Sequence, residues 1–382
     1  MTTTKRSRVF YGMAVVLLLV YLVRLLYGNH VYGGWLLAGM FVSLALAFRT
    51  SKMLRGLSFT VIIFATTALA MYHPDYFSQW GGFKLSELII PLIQLIMFGM
   101  GTAMSVKDFA AVFKSPKGVV VGVLSQFMIM PLIGFTLATV TDFPPEIAAG
   151  IVLIGCSPSG LASNVMSYLA KANLALSITL TSITTLLAPF VTPLLMKFLA
   201  GTMVPIDVLD MMWDIIKMII LPIGAGLLFN KLLKGKSKWL DDAMPLVSMF
   251  GIAFIITIIT AAGRDSLLRI GPALIGVVLI HNCFGYLLGY WSCRLLKMSE
   301  SDCRTIAIEV GMQNAGLASG IAKEMSRIAT LGLAPAVFGP LMNVTGSALA
   351  SWWHNRLPKD QLPQNDEKSA GKKTVPYSSP QN

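Results

Sequence analysis

The stretch EVGMQNAGLASG, Glu309 to Gly320, interrupts one of the last two long apolar runs of the chain. It places a carboxylate, a Gln, an Asn and three glycines where the neighbouring runs carry mostly Leu, Ile, Val and Ala. An ionised side chain at the centre of a bilayer costs at least ~3 kcal/mol on insertion scales. Glycine weakens a helix and exposes its backbone. A charge and a soft backbone at one place mark a site rather than a plain span.

The surroundings settle what solvent that site lives in. The 382 residues are 55% hydrophobic and 13% charged, with a mean hydropathy of +0.70. Soluble domains average about 25% charged residues. Apolar segments recur near 9–28, 33–48, 57–73, 86–104, 118–140, 146–170, 173–200, 208–230, 244–262, 270–294, 303–323 and 329–354. Most are long enough to cross a roughly 30 Å hydrocarbon core. The chain reads as an all-α polytopic membrane protein, its first run a retained span behind KRSR rather than a signal peptide. The tail 356–382 is polar and reads as disordered.

The net charge of +12 sits mostly in short inter-helix loops, so it addresses the lipid bilayer's inner surface and not nucleic acid. With the N-terminus inside, most of the Lys and Arg residues collect on one face, among them Lys5, Arg6, Arg8, Arg49, Lys107, Lys171, Arg294 and Arg304. That asymmetry predicts cytoplasmic N- and C-termini in a cell (inner) membrane. Cys156, Cys283, Cys293 and Cys303 lack metal or disulfide spacing, as do the four histidines.

GLAS occurs at 160–163 and again at 316–319, and SQFMIMPLIGF (125–135) is echoed by IHNCFGYLLGY (280–290). The common offset of about 155 residues suggests two homologous halves. An odd number of spans between equivalent positions turns the second half upside down, the inverted-repeat plan of secondary transporters. The boundaries that follow are 1–55 for an added transmembrane hairpin, 56–200 and 201–355 for the halves, and 356–382 for the tail.

Each half carries an interrupted segment. In the first it is GCSPSGLASNVMSYLAKAN, where Pro158 removes a backbone donor. Freed carbonyls suit a hard cation and freed helix N-termini an anion. Glu309 has no Lys or Arg a helical turn away, so a bound cation is its natural partner, with a protonated Glu bonded between helices as the alternative. The nearby donors are Gln313, Ser163, Asn164, Ser177 and Thr181. A single carboxylate among neutral oxygens suits Na⁺ rather than zinc or copper. Gln126, before a Pro, reads by itself as interhelical glue, as does His281-Asn282 beside a less favoured proton relay. Asp214 and Lys217 form an i,i+3 pair.

GLASNVMSYLAKANLALSITLTS, followed far downstream by IEVGMQNAGLAS, resembles the bile acid:sodium symporter family, and LFNKLL, MPLVS and HNCFGYLLGY fit it. The resemblance runs from about 57 to 355. It implies ten helices in inverted five-helix repeats, with a panel domain against a core domain in which two broken helices cross. It implies two Na⁺ ions. One site would use Ser163, Asn164, Ser177, Thr181 and Glu309; the other Gln126, Glu309, Gln313 and the carbonyls of Val310 and Met312. Asn314 and Asn343 would face the substrate. Leu161 and Met342 stand where some relatives carry Thr and His, and both border the substrate space rather than the ions. The resemblance therefore supports sodium coupling better than bile acid itself, and the expected anion is a carboxylate or bile-acid-like. The expected function is sodium-coupled symport of a small organic anion by alternating access. Rival readings are a proton- or metalloid-coupled carrier using Cys156, and an intramembrane serine hydrolase built on Ser159 and His281.

Overall fold

The computed structural model describes residues 3–28, 32–51, 54–104, 116–233, 238–356 and 358. The expected disordered tail lies outside the described residues except for Arg356 and Pro358, as do the basic positions between 105 and 115.

The chain is all-helical apart from one short hairpin. α1 (Thr3–Leu26) and α2 (Gly33–Arg49) pair and lean on α3 (Ser58–Tyr72). Tyr21 and Tyr72 share a hydroxyl hydrogen bond of 2.9 Å that pins this addition to the rest. The hairpin follows, with Gln79 opposite Lys84 and Trp80 opposite Phe83. It turns on Gly81 and Gly82, both at positive φ, the backbone that two-residue hairpins require.

α4 (Ile89–Ala103) packs against α10 (Leu221–Leu233) and α11 (Lys238–Ala262), and α3 also meets α11. α10 continues α9 (Val208–Ile215) through a π-helical turn at Ile216–Ile220. Lys217 on that turn holds Asp214 at 2.7 Å, the i,i+3 pair expected from the sequence. A second group gathers α5 (Pro116–Val140), α6 (Pro145–Cys156), α7 (Ala162–Leu169), α8 (Leu174–Ala200), α12 (Arg264–Leu295), α13 (Glu300–Gly311), α14 (Ala315–Glu324) and α15 (Leu333–His354). Among the described residues, seven helical stretches are long and apolar enough to cross a membrane. The remaining apolar stretches are the shorter α2 and α3, the Leu246–Ala262 part of α11, and the two interrupted segments, α6–α7 and α13–α14.

α6, α8 and α13 are deeply buried, with Ile151, Leu153, Ile154, Leu180, Ile306 and Ile308 shut from solvent. α1 is almost entirely exposed, as expected of a helix whose other neighbour is lipid. This arrangement puts both breaks inside the protein. Non-helical backbone is tolerated at membrane depth only under such cover.

Candidate functional site

The two breaks have local causes. Ser157 precedes Pro158 and is driven to extended backbone, ψ 155°. α6 therefore stops at Cys156. α13 stops at Gly311, Met312 is extended, and the Asn314 side-chain oxygen accepts from the Leu317 amide at 3.0 Å to cap α14. The two extended pieces then pair with each other, Ser159 opposite Gln313 in antiparallel sense. The Gly160 amide donates to Met312 O and the Asn314 amide to Pro158 O, each at 2.8 Å. A Cβ on Gly160 would stand 2.6 Å from the Gln313 carbonyl oxygen, so the crossing depends on glycine there.

Glu309 lies in the last turn of α13, 1% exposed. Its Oε1 accepts from Ser163 at 2.6 Å and Ser177 at 2.5 Å, and its Oε2 from Thr181 at 2.9 Å. Ser163 and Asn164 open α7, and Ser177 and Thr181 sit one turn apart on one face of α8. Asn164 Oδ1 is 2.9 Å from the Ser177 hydroxyl and 3.3 Å from that of Thr181, while the Ser163 and Thr181 hydroxyls are 3.3 Å apart. All five residues of the first expected set thus meet, drawn from three elements. No Lys or Arg pairs with Glu309 among the described residues. Three hydroxyl protons cannot serve all these contacts, and a proton on Glu309 adds only one. The remaining approaches set oxygen against oxygen, which a small cation reconciles.

The second set also assembles, but closed on itself. Gln126 Nε2 donates to Ser157 O at 2.9 Å and to Gln313 Oε1 at 2.8 Å. Gln313 Nε2 donates to Val310 O at 2.6 Å, and Met312 O accepts from Gly160 in the crossing. Of Glu309 it is the backbone carbonyl that meets this group, accepting from Ser159 Oγ at 3.1 Å, and Ser159 also donates to Gln126 Oε1 at 3.3 Å. A cation here requires both glutamines to turn their oxygens inward.

Ser159 and Ser157 were missed as site neighbours by sequence reasoning; the break itself was the signal. A related contact lies in the other half. Asn282 Nδ2 donates to Gly311 O at 2.7 Å, as Gln126 does to Ser157 O, so each break has a carbonyl held by an amide from the preceding long helix. The Thr345 hydroxyl reaches Asn282 Oδ1 at 2.6 Å.

The four substrate candidates are less gathered. Asn314 is buried and spends its oxygen on the α14 cap. Asn343 is half-buried and donates to Gly339 O at 3.0 Å. Leu161 is half-buried at the entrance to α7, and Met342 is buried on α15.

The hydrolase arrangement does not form. The Ser159 hydroxyl goes to Gln126 and the Glu309 carbonyl, while His281 Nε2 pairs with Met130 O at 3.0 Å on α5. His281 and Asn282 make the interhelical hydrogen bonds expected of them. Cys156 is fully buried within the apolar core.

Comparison with known proteins gives a consistent result. Residues 90–270 match the sequence model of the Sodium Bile acid symporter family. The chain is 39% identical over 307 residues to the uncharacterized sodium-dependent transporter YocS of Bacillus subtilis, covering 80% of this chain and 94% of that one. It is 31% identical over 267 residues to the probable sodium/metabolite cotransporter BASS1, chloroplastic, of Arabidopsis thaliana, covering 70% and 67%. With BASS2 of Oryza sativa subsp. japonica, described in the same words, it is 31% identical over 314 residues, covering 81% and 72%.

Proposed function

The chain belongs to the sodium bile acid symporter family, and from that premise we propose that it carries a small organic anion inward together with Na⁺. Its relatives are sodium-dependent transporters, so the chain is a membrane transporter and not an enzyme. The proposal concerns what it couples and how.

The carrying observation is the Glu309 cluster, a buried carboxylate whose neighbours are hydroxyls and one amide oxygen. There Ser163, Asn164, Ser177, Thr181 and Glu309 hold one Na⁺. Gln126, Gln313, Val310 O and Met312 O hold a second, with Glu309 between the two. The freed N-termini of α7 and α14 draw the anion, and Asn314, Asn343, Leu161 and Met342 border its space.

Alternating access follows from two bodies. α3, α4, α9–α10 and α11 act as a panel, and α5–α8 with α12–α15 as a core. Halves 56–200 and 201–355 are inverted repeats, supported by the matching amide-to-break bonds of Gln126 and Asn282. The hairpin 1–55 is an addition outside the repeat. Both termini face the cytoplasm and the membrane is the cell (inner) membrane, supported by the placement of Lys and Arg.

Proteoliposomes test the coupling. Uptake of a labelled carboxylate found by sodium-dependent thermal stabilisation should need an inward Na⁺ gradient and vanish when K⁺ replaces Na⁺. Uptake driven equally well by a proton gradient in Na⁺-free buffer would sink the sodium reading.

A further inference from the structure

On the flank of α12 and α15 away from Asn343, the two helices part and leave an open groove of about 710 Å³. At 100° per residue, positions 348, 349 and 352 of α15 point broadly opposite to position 343. The groove therefore lies on the side of α15 away from Asn343, with Met342 on the same face as Leu349. Its walls are hydrocarbon, with Leu287 facing Ala348 and Leu349. Its end nearest the α15 terminus is aromatic and charged, with Tyr290, Trp352, Trp353 and Arg356.

The charges at that end do not balance. Glu300 is fully engaged: Oε1 accepts from Arg304 Nε at 3.1 Å, and Oε2 from the Tyr290 hydroxyl at 2.8 Å. Arg304 is 4% exposed, and its Nη1 donates to the carbonyls of Ala170, Trp353 and Arg356. Arg294 is held only at 3.7 Å from Glu300. Arg356 lies 4.2 Å over the Trp352 ring, exposed, and no carboxylate meets it among the described residues. An apolar groove thus ends at one exposed arginine available to an anion, Arg356, beside side chains that favour the membrane interface.

We propose that this groove is a binding site for one anionic phospholipid. An acyl chain lies against Leu287, Ala348 and Leu349, and the phosphate sits on Arg356. Basic pockets between helices on the cytoplasmic side suit such headgroups; the proposal rests on the cytoplasmic orientation given above. The groove wall also carries Tyr286 and Thr345, and Thr345 holds Asn282, whose amide holds Gly311 O.

The test is retention of added phosphatidylglycerol or phosphatidylcholine by purified protein through detergent washing, read by native mass spectrometry. Wild type should keep phosphatidylglycerol at least tenfold better than phosphatidylcholine. Arg356→Glu should erase that preference, and Ala348→Trp should expel both lipids. Na⁺-dependent thermal stabilisation should persist in both variants, and Arg356→Glu, on an exposed side chain, decides the matter if Ala348→Trp misfolds. Equal retention of the two lipids by wild type would overturn the proposal. So would stabilisation by inorganic phosphate equal to that by phosphatidylglycerol. Selective retention combined with an external C-terminus, mapped by protease in oriented vesicles, would uphold the lipid site and refute only the orientation.

Discussion

Replacing Glu309 by Gln keeps the side-chain shape, removes one negative charge and exchanges an acceptor for an NH₂ donor. In the structure both carboxylate oxygens accept, from Ser163, Ser177 and Thr181, so the new amide turns donors toward hydroxyl groups already needed as donors. Two opposite charges about 4 Å apart at an effective dielectric near 20 attract by ~4 kcal/mol. Losing that attraction weakens Na⁺ binding about a thousandfold. At a Na⁺ concentration 100 times the wild-type Kd, binding stabilises the fold by about 2.7 kcal/mol. In Glu309→Gln the same concentration contributes roughly 0.1 kcal/mol or less.

The substitution also removes a buried charge whose insertion alone costs ~3 kcal/mol. The sodium-free variant should therefore melt no lower than sodium-free wild type, and only the response to Na⁺ should disappear. Differential scanning fluorimetry across a Na⁺ titration, with choline held complementary, measures both quantities. Glu309→Asp, which keeps the charge one methylene short, should recover part of the response. An unchanged Na⁺-dependent melting shift in Glu309→Gln, or saturable sodium-driven uptake by it, would refute the assignment.

Gly160→Ala drives a Cβ to 2.6 Å from the Gln313 carbonyl oxygen, where both partners are backbone. Overpacking of this kind costs about 1–3 kcal/mol, so melting temperature and Na⁺ response should fall together. Asn314→Ala and Asn343→Ala should weaken substrate binding measured by calorimetry while leaving the Na⁺ shift in place. Asn314→Ala also loses the α14 cap, about 0.5–2 kcal/mol of stability, which Asn314→Asp should restore without restoring substrate affinity. If two Na⁺ enter with one monovalent anion, one net charge crosses the membrane, worth about 2.3 kcal/mol per 100 mV, or roughly fifty-fold in accumulation. A valinomycin-imposed negative interior should raise initial uptake; indifference to potential would mean one Na⁺ per monovalent anion or a divalent substrate.

The sequence made the helical spans legible because hydrophobic runs near 20 residues are a strong signal. The two breaks were legible because Pro158 and the Gly311–Gly320 stretch contradict their surroundings. Glu309 was legible because a lone intramembrane carboxylate demands partners, with Ser163 and Asn164 in the other break and Ser177 and Thr181 on the next helix as available donors. The family resemblance joined the five into one set. The role of Ser159 was not legible, because its contacts to Gln126 and the Glu309 carbonyl come from elements 33 and 150 residues away. Nor was the occupation of Met312 O by Gly160, which exists only once the breaks pair. The partnership of Asn282 with Gly311 O and Thr345 was hidden for the same reason. The hairpin at 79–84 has a Gly-Gly turn in plain view, but its strands are too short for alternation to register.

In the proposed reading, the crossing ties ion to substrate through a short covalent path. Glu309 and Asn314 are five residues apart, and the intervening backbone is the piece that pairs with Pro158 and Gly160. Without a cation, the three hydroxyls donate to Glu309 and leave Asn164 Oδ1 set against Ser177 and Thr181 and Ser163 against Thr181, so the cheapest relief is separation of α7 from α8. That separation loosens the bridge which aims the α14 N-terminus and Asn314. A cation removes the conflict and fixes both, so Na⁺ should bind first and raise the affinity for the anion. Linkage then demands that the anion raise Na⁺ affinity by the same factor. Calorimetric titrations of each ligand at several fixed concentrations of the other measure the two factors independently. A coupling of 1–3 kcal/mol, about 5- to 150-fold, is the ordinary range. It should fall to unity in Glu309→Gln, at anion concentrations high enough to saturate the variant. Anion affinity independent of Na⁺ in wild type would mean that the crossing does not transmit ion occupancy, even with every residue of the first site correctly assigned.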